Sequence, residues 1–233
     1  SGDVVDEMGK NNGSKFGNAQ QNSSAGSGKF GKSFSFDGNG DSIIVPSNYV
    51  FTFGTGNFTS SQWVSFASTS GIPVIIATDT VGTAGNWIIY SNNGVLTFYV
   101  HGTGAVATYT WTGLTTNKWY NVLVSRSGTN LSMYVDNNVV ASVTSGANLA
   151  QNGLNIGGYS GAWLNGHIEE VLIFNRSLSA TEISALYNAS ANKYYNNFTG
   201  LATGVHTIKS YAVDSAGNMN NTETRSVTIS AAD

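Results

Sequence analysis

Runs of alternating apolar and polar residues recur along the chain at 33–36, 42–45, 62–67, 73–77, 87–90, 95–101 and 105–111, and again at 119–126, 130–135, 138–143, 154–157 and 166–174. Successive side chains of a β-strand point to opposite faces, so each run reads as a strand with one buried face. The runs are rich in β-branched and aromatic residues and are bounded by Gly, Asn or Ser, which supply turn conformations. Asp136, Asn137 and Asn138 stand between two of them and predict a tight hairpin turn. The expectation is an all-β fold, an antiparallel sandwich of many strands.

One segment breaks the period. In 178–191, Ser179 is followed three residues later by Glu182, the pattern of a capping box, and Ile183, Leu186 and Tyr187 recur at helical spacing. A short helix is predicted to close the sandwich. Residues 1–32 are rich in Gly, Asn and Ser and predict loops, with one short strand around Val4 and Val5. Residues 193–231 return to strand patterns at 194–199, 206–213 and 222–229, the last two joined by a turn at 214–218. Three strands are too few for an independent immunoglobulin-like sandwich, which needs about seven. The domains are therefore set at 1–192, the sandwich, and 193–233, a partial unit.

Composition narrows the function classes. A chain of 233 residues can bury a sizeable core. Its 10 Lys and Arg are scattered singly against 13 Asp and Glu, leaving no basic stripe to neutralise phosphates, so nucleic acid is excluded as a partner. No run approaches the roughly 20 apolar residues that span a bilayer, and the first residues lack the charged start and apolar run of an export signal. With no Cys, redox compartment is unreadable. Location rests instead on the acceptor pattern Asn-X-Ser/Thr, which begins at Asn12, Asn22, Asn57, Asn130, Asn175, Asn188, Asn197 and Asn220. Either a chain rich in Asn, Ser and Thr produces these triplets by chance, or they belong to a glycosylated, extracellular protein of the cell surface.

The stretches Gly31 to Gly38 (GKSFSFDG), Phe58 and Thr59 leading to Trp63 and Val64, Lys118 to Val122 (KWYNV), Leu131 to Asp136 (LSMYVD), and Asn165 to Val171 running into Phe174 to Ser179 follow one another along the chain. Together they resemble the laminin G-like or concanavalin A-like jelly-roll domains of prokaryotic surface proteins. The ordered set covers most of 1–190. Gly204 to Lys209 and Tyr211 to Asn218 resemble the last strands of immunoglobulin-like repeats from the same kind of protein, and the absence of cysteine is in keeping with an archaeal source. The resemblance implies an adhesive array and names no ligand. Such domains carry a strand ahead of the segment that looks like Ser1 to Asp6, and early strands of the second unit do not occur before Tyr194. Either the chain is cut from a longer repeat protein, or a neighbouring copy supplies strands to an open edge.

Candidate chemistry is sparse. Hydrolysis with retention needs two carboxyl groups about 5 Å apart, and Glu169 and Glu170 are adjacent, so their side chains leave opposite faces of a strand. Glu7, Glu182 and Glu223 fall in a loop, a helix cap and the tail, and His101, His167 and His206 show no metal-ligand spacing. Asp37, Asn39 and Asp41 gather hard oxygen ligands in one Gly-rich turn, and the resemblance places that turn near Glu169 and Glu170, one of which would complete a Ca2+ shell. The alternative is an ordinary hairpin needing these residues for turn geometry.

Aromatic faces on loops stack on sugar rings. Trp63 and Trp119 fall inside strand patterns and read as core. Trp163, in the loop 157–166 beside Tyr159 and Asn165, is the leading ligand-binding candidate, with Trp87 after a Gly-rich turn as a second and Trp111 ending a strand. Otherwise Trp163 covers the sandwich rim. The expected function is a non-catalytic, extracellular adhesion or carbohydrate-binding module with surface glycans as partners. The alternatives are a filament or surface-layer subunit completed by strand exchange with its own copies, and, remotely, a glycan-cleaving enzyme.

Overall fold

Alternating strands with one apolar face must bury that face against another element, and here two sheets bury theirs against each other. The structure, a computed structural model, describes residues 4–6, 8–22, 28–29, 31–47, 51–78, 82–150, 153–191, 200–209, 211–213, 219–221 and 223–230. The chain separates into two compact units, Ser1–Lys193 and Tyr194–Asp233.

In the first unit the strands are β1 (Ser14–Phe16), β2 (Gln20–Gln21), β3 (Phe34–Asp37), β4 (Ser42–Val45), β5 (Phe58–Phe66), β6 (Val74–Thr78), β7 (Trp87–Asn92), β8 (Val95–Val100), β9 (Gly104–Thr110), β10 (Trp119–Ser127), β11 (Asn130–Val135), β12 (Asn138–Thr144), β13 (Leu154–Ile156), β14 (Gly158–Tyr159), β15 (Ala162–Trp163) and β16 (Asn165–Phe174). Helix α1 (Ala180–Ala191) follows. Sheet I has the order β1-β4-β13-β6-β7-β8-β9 and sheet II the order β12-β11-β10-β5-β16-β3-β2, with antiparallel pairing throughout; β14 and β15 form a small hairpin of their own.

The core between the sheets is aromatic at its centre. Phe58 stacks on Phe53 at 5.0 Å between ring centroids, and Trp87 and Phe98 pack on Phe58 at 6.2 and 6.1 Å. On β5 the inward residues are Phe58, Ser60, Gln62, Val64 and Phe66. Two of these are polar, and that is why the alternation pattern starts the strand four residues late. Ser60 Oγ donates to Gln62 Oε1 (3.0 Å) and Gln62 Nε2 donates to the Val122 carbonyl (2.9 Å), so neither group is buried unsatisfied.

Asp136 and Asn137 form the predicted tight turn, both with positive φ (48° and 66°), as a two-residue loop between antiparallel strands requires. The capping box is present: the Ser179 amide donates to Glu182 Oε2 (2.8 Å) and the Glu182 amide to Ser179 Oγ (3.3 Å). The helix lies on the outer face of sheet II, where Leu178, Ile183 and Leu186 pack against Leu123, Tyr134 and Phe174. Trp63, on that same outer face, is covered by Tyr187 (5.7 Å) and donates from Nε1 to Ser190 Oγ (3.1 Å). At Val4 the expected strand reduces to a single bridge with Gly13.

In the second unit the described strands are β17 (Gly204–Ile208), β18 (Tyr211–Val213), β19 (Met219–Asn221) and β20 (Arg225–Ile229), which pair as β17 with β20 and β18 with β19. The strand expected at 194–199 and the turn at 214–218 lie outside the described residues. Val205 and Val227 remain exposed.

Arg126 closes one end of the sandwich. It sits on β10 opposite Phe58, is fully buried, and donates from Nε and Nη2 to the Gly56 carbonyl, from Nη2 to Gly54 (2.8 Å) and from Nη1 to Ala147 (2.6 Å). Its guanidinium lies 5.4 Å from the centre of the Phe58 ring. Burial lowers its pKa from the ordinary arginine value. The acceptors belong to two connections that pass from one sheet to the other, β4 to β5 and β12 to β13.

Arg126→Met strands these carbonyls without donors and is expected to cost about 3 kcal/mol or more of unfolding free energy in urea titrations. Arg126→Lys is expected to recover little, since one ammonium cannot span the same fork of acceptors. The capping box gives a pH signature. Arg176, 2.8 Å away, and the Ser179 donors hold Glu182 at about 2, below its ordinary 4.5. A carboxyl depressed by folding stabilises fully above its unfolded pKa and loses that contribution as pH falls through the folded value. The stability difference between wild type and Glu182→Gln is therefore expected to shrink as pH falls from 4.5 to about 2.

Candidate functional site

At the end of the sandwich opposite Arg126, the turn 37–41 between β3 and β4 is organised by one buried acid. Asp41 is 1% exposed. Its carboxylate accepts the Asn18 amide on one oxygen and the Asp37 amide (2.8 Å) on the other. This joins the β1–β2 connection to the β3–β4 turn, two segments that each cross between the sheets. Asp37 Oδ1 accepts the Asn39 amide (2.7 Å), and Asp37 and Asn39 are exposed.

The β14–β15 hairpin stands beside this turn. Asn165, exposed at the start of β16, pairs with Asp37 across the sheet. Trp163 is half-buried, its ring against Gly158, whose backbone also meets the Asp41 carbonyl; a Cβ at Gly158 would strike both. Gly38 is also closely placed, since a Cβ there would lie 3.0 Å from Asn165 Cβ, and its φ of +84° is in the region that favours glycine. The Asn165–Asp37 pairing and the close approaches at Gly158 and Gly38 thus bring β15, the start of β16 and the turn 37–41 to one rim of the sandwich, and with them Trp163, Asn165, Asp37 and Asn39.

The remaining candidates divide. Tyr159 is buried, packed with Val74, Ala77 and Ile88 on the outer face of sheet I, so it supports the hairpin from beneath. Trp87 is not a surface residue. It is 0% exposed in the aromatic core, because its register with Val100 turns it inward. Glu169 and Glu170 do not complete a Ca2+ shell with Asp37, Asn39 and Asp41. Glu169 lies four residues along β16 from Asn165, about 13 Å at roughly 3.3 Å per residue, and accepts the Lys29 amide (2.9 Å). Glu170 falls in a bulge with φ of 52° and is exposed. Among the described residues no three His, Cys, Asp or Glu side chains gather to hold an ion. The five residues do not fit calcium as one set.

Of the histidines, His167 is half-buried beside Trp119 (6.2 Å), and burial lowers its pKa. The alternation pattern gave no reason to single out Tyr90 and Tyr99, half-buried on the outer face of sheet I, with His101 edge-on to Tyr99 at 5.5 Å. Nor does it point to a hydroxyl-lined cleft of about 470 Å³ on sheet II, formed by Ser125, Ser127, Ser132, Tyr134 and Ser177 between Asn57 and Asn130. Its signal is the run of Ser and Thr at outward positions of β5, β10 and β11.

Asp41→Ala leaves the Asn18 and Asp37 amides without an acceptor and is expected to cost about 2–4 kcal/mol in chemical unfolding. Asp37→Ala removes one exposed turn bond and is expected to cost under about 1 kcal/mol.

Comparison with solved structures finds this fold in larger proteins. The receptor-binding domain of botulinum neurotoxin C/D mosaic serotype superposes with a TM-score of 0.64 at 16% identity, over 91% of this chain and 60% of that one. A botulinum neurotoxin type C structure, titled for cell entry dependent on interaction with two ganglioside molecules, matches at 0.61 and 15%, over 87% and 53%. A Trypanosoma rangeli sialidase in complex with a difluoro-KDN ligand matches at 0.62 and 18%, over 80% and 30%. The chain thus spans about a third to three-fifths of these proteins' lengths. No curated protein sequence matches. The sequence family described as the concanavalin A-like lectin/glucanases superfamily, Laminin_G_3, matches residues 37–184, a span running from the rim turn into α1, and the chain belongs to that family.

Proposed function

We infer that this chain is an extracellular, non-catalytic carbohydrate-binding module whose ligand sits on the Trp163 rim. The observation that carries this reading is the gathering of Trp163, Asn165, Asp37 and Asn39 at one end of the sandwich by the Asn165–Asp37 pairing and the close approach at Gly158. An indole face takes the apolar side of a sugar ring, while an amide and a carboxylate bind its hydroxyls. The same fold carries proteins described by gangliosides and by a sialyl ligand, which supports a glycan as the partner.

The placement of the acids supports a binding role. Glu169 is engaged by the Lys29 amide and Glu170 turns away in a bulge, so the strand that would display a catalytic pair displays none. Extracellular placement is supported by the exposed acceptor asparagines Asn12, Asn57, Asn130, Asn175 and Asn188, and no described helix is long and apolar enough to cross a membrane.

On a glycan array, wild-type protein is expected to bind a defined subset of oligosaccharides. Trp163→Ala is expected to weaken that binding at least about tenfold, a loss of roughly 1.4 kcal/mol. Binding by both proteins alike would move the ligand off this rim, and turnover of any polysaccharide would overturn the non-catalytic reading.

A further inference from the structure

We propose that Asn57, Asn130 and Asn175 are N-glycosylated, so that the end of the sandwich opposite Trp163 carries a glycan cap. The proposal rests on the extracellular reading above and adds a modification site and its geometry.

Three strands deliver these asparagines to the same place. Asn57 immediately precedes β5, Asn130 opens β11, and Asn175 immediately follows β16. The register brings the three strand ends together: Arg126 pairs with Phe58, Ser127 with Asn130, and Phe174 with Thr59. The Gly128 amide donates to Asn57 Oδ1 (2.7 Å), which leaves the side-chain nitrogen as the group to be modified. Asn130 Oδ1 accepts from Ser142 Oγ (3.1 Å), with the same consequence. All three side chains are exposed.

The far end of β5, at Phe66, pairs with Gly166 beside Asn165. Eight residue steps separate the two ends, roughly 26 Å at about 3.3 Å per step. A glycan on any of the three is therefore attached at the end of the sandwich remote from the rim. Between Asn57 and Asn130 lies the hydroxyl-lined cleft of Ser125, Ser127, Ser132 and Tyr134, a polar seat for the first sugars of an attached chain. Asn22 is placed differently: it is half-buried and its Nδ2 lies 3.5 Å from His167 Nδ1.

The chemistry is transfer from an oligosaccharide carried on a lipid phosphate. The bond from the asparagine nitrogen to sugar C1 forms as the bond from C1 to the carrier oxygen breaks. The phosphate leaves with the bonding pair, and the nitrogen gives up one proton to solvent. Transfer requires the Ser or Thr hydroxyl two residues on. For Asn57 that hydroxyl belongs to Thr59, which is buried, donates to the Arg176 carbonyl (3.0 Å) and accepts the Leu178 amide (3.1 Å). Asn57 is therefore modified before β5 pairs, while the chain is still extended.

The experiment secretes the full chain from a host that N-glycosylates and reads each site by peptide mass spectrometry after enzymatic release of the glycans. Occupancy at Asn57, Asn130 and Asn175 is expected, with Asn130→Gln and Asn175→Gln each removing one glycan. Folded, unmodified protein offered to the transferase in vitro is expected to stay unmodified at Asn57. Chain recovered from the medium with all three sites bare overturns the proposal while leaving the extracellular reading standing. A chain whose glycan-array binding is abolished when the cap is removed refutes the separation of cap from rim.

Discussion

Two ionised side chains, each satisfied by backbone, hold the ends of this sandwich shut. Sheets packed face to face fix their strands through the core, but the connections between sheets run over the ends, where backbone groups lose their ladder partners. At one end Arg126, a buried cation, collects the carbonyls of Gly54, Gly56 and Ala147. At the other, Asp41, a buried anion, collects the amides of Asn18 and Asp37. Donor-rich guanidinium meets acceptors and acceptor-only carboxylate meets donors: Arg126 makes four bonds to carbonyls and each Asp41 oxygen accepts one amide, so each charge keeps partners as it leaves water. A third connection, β9 to β10, is tied by a neutral group: Tyr120 Oη accepts the Thr115 amide (2.9 Å) and donates to the Gly113 carbonyl (3.1 Å).

This accounting separates structure from function at the rim. A turn rich in Asp, Asn and Gly resembles an ion site in one dimension, yet its most buried acid is committed to two amides. What remains accessible is the outer edge of the turn, Asp37 and Asn39, with Asn165 and Trp163 beside it. These exposed groups are held by buried ones, and a site of that construction keeps its shape without ligand.

The strands were legible from alternation wherever polar residues marked the outer face, as in Asn130 to Val135, where Asn130, Ser132 and Tyr134 point away from Leu131, Met133 and Val135. The capping box and the Asp136–Asn137 turn were legible because each uses residues selected by local backbone geometry. Parity failed at Trp87: Trp87, Ile88, Ile89 and Tyr90 contain no charged or amide side chain to say which face is dry. The first half of β5 failed for the reverse reason, since Ser60 and Gln62 are polar and still face inward. The hairpin of β14 and β15 has two residues per strand, too few for any period to register.

The candidate site was legible in part for the same physical reason. Trp163 and Asn165 stood out because they lie between Gly-rich segments, and local composition is what a sequence displays. Glu169 and Glu170 were joined to the turn by resemblance, and register separates them: a residue's distance from a sheet partner grows by about 3.3 Å per step, which the four steps from Asn165 to Glu169 turn into a span no carboxylate can cross. Arg126 carried no local signal, because its partners are backbone atoms 21 to 72 residues away, and Asp41 stood out only as a member of its turn, since its bond to the Asn18 amide reaches 23 residues back in the chain. The charges that matter most to this fold are thus those whose partners have no side-chain identity to read.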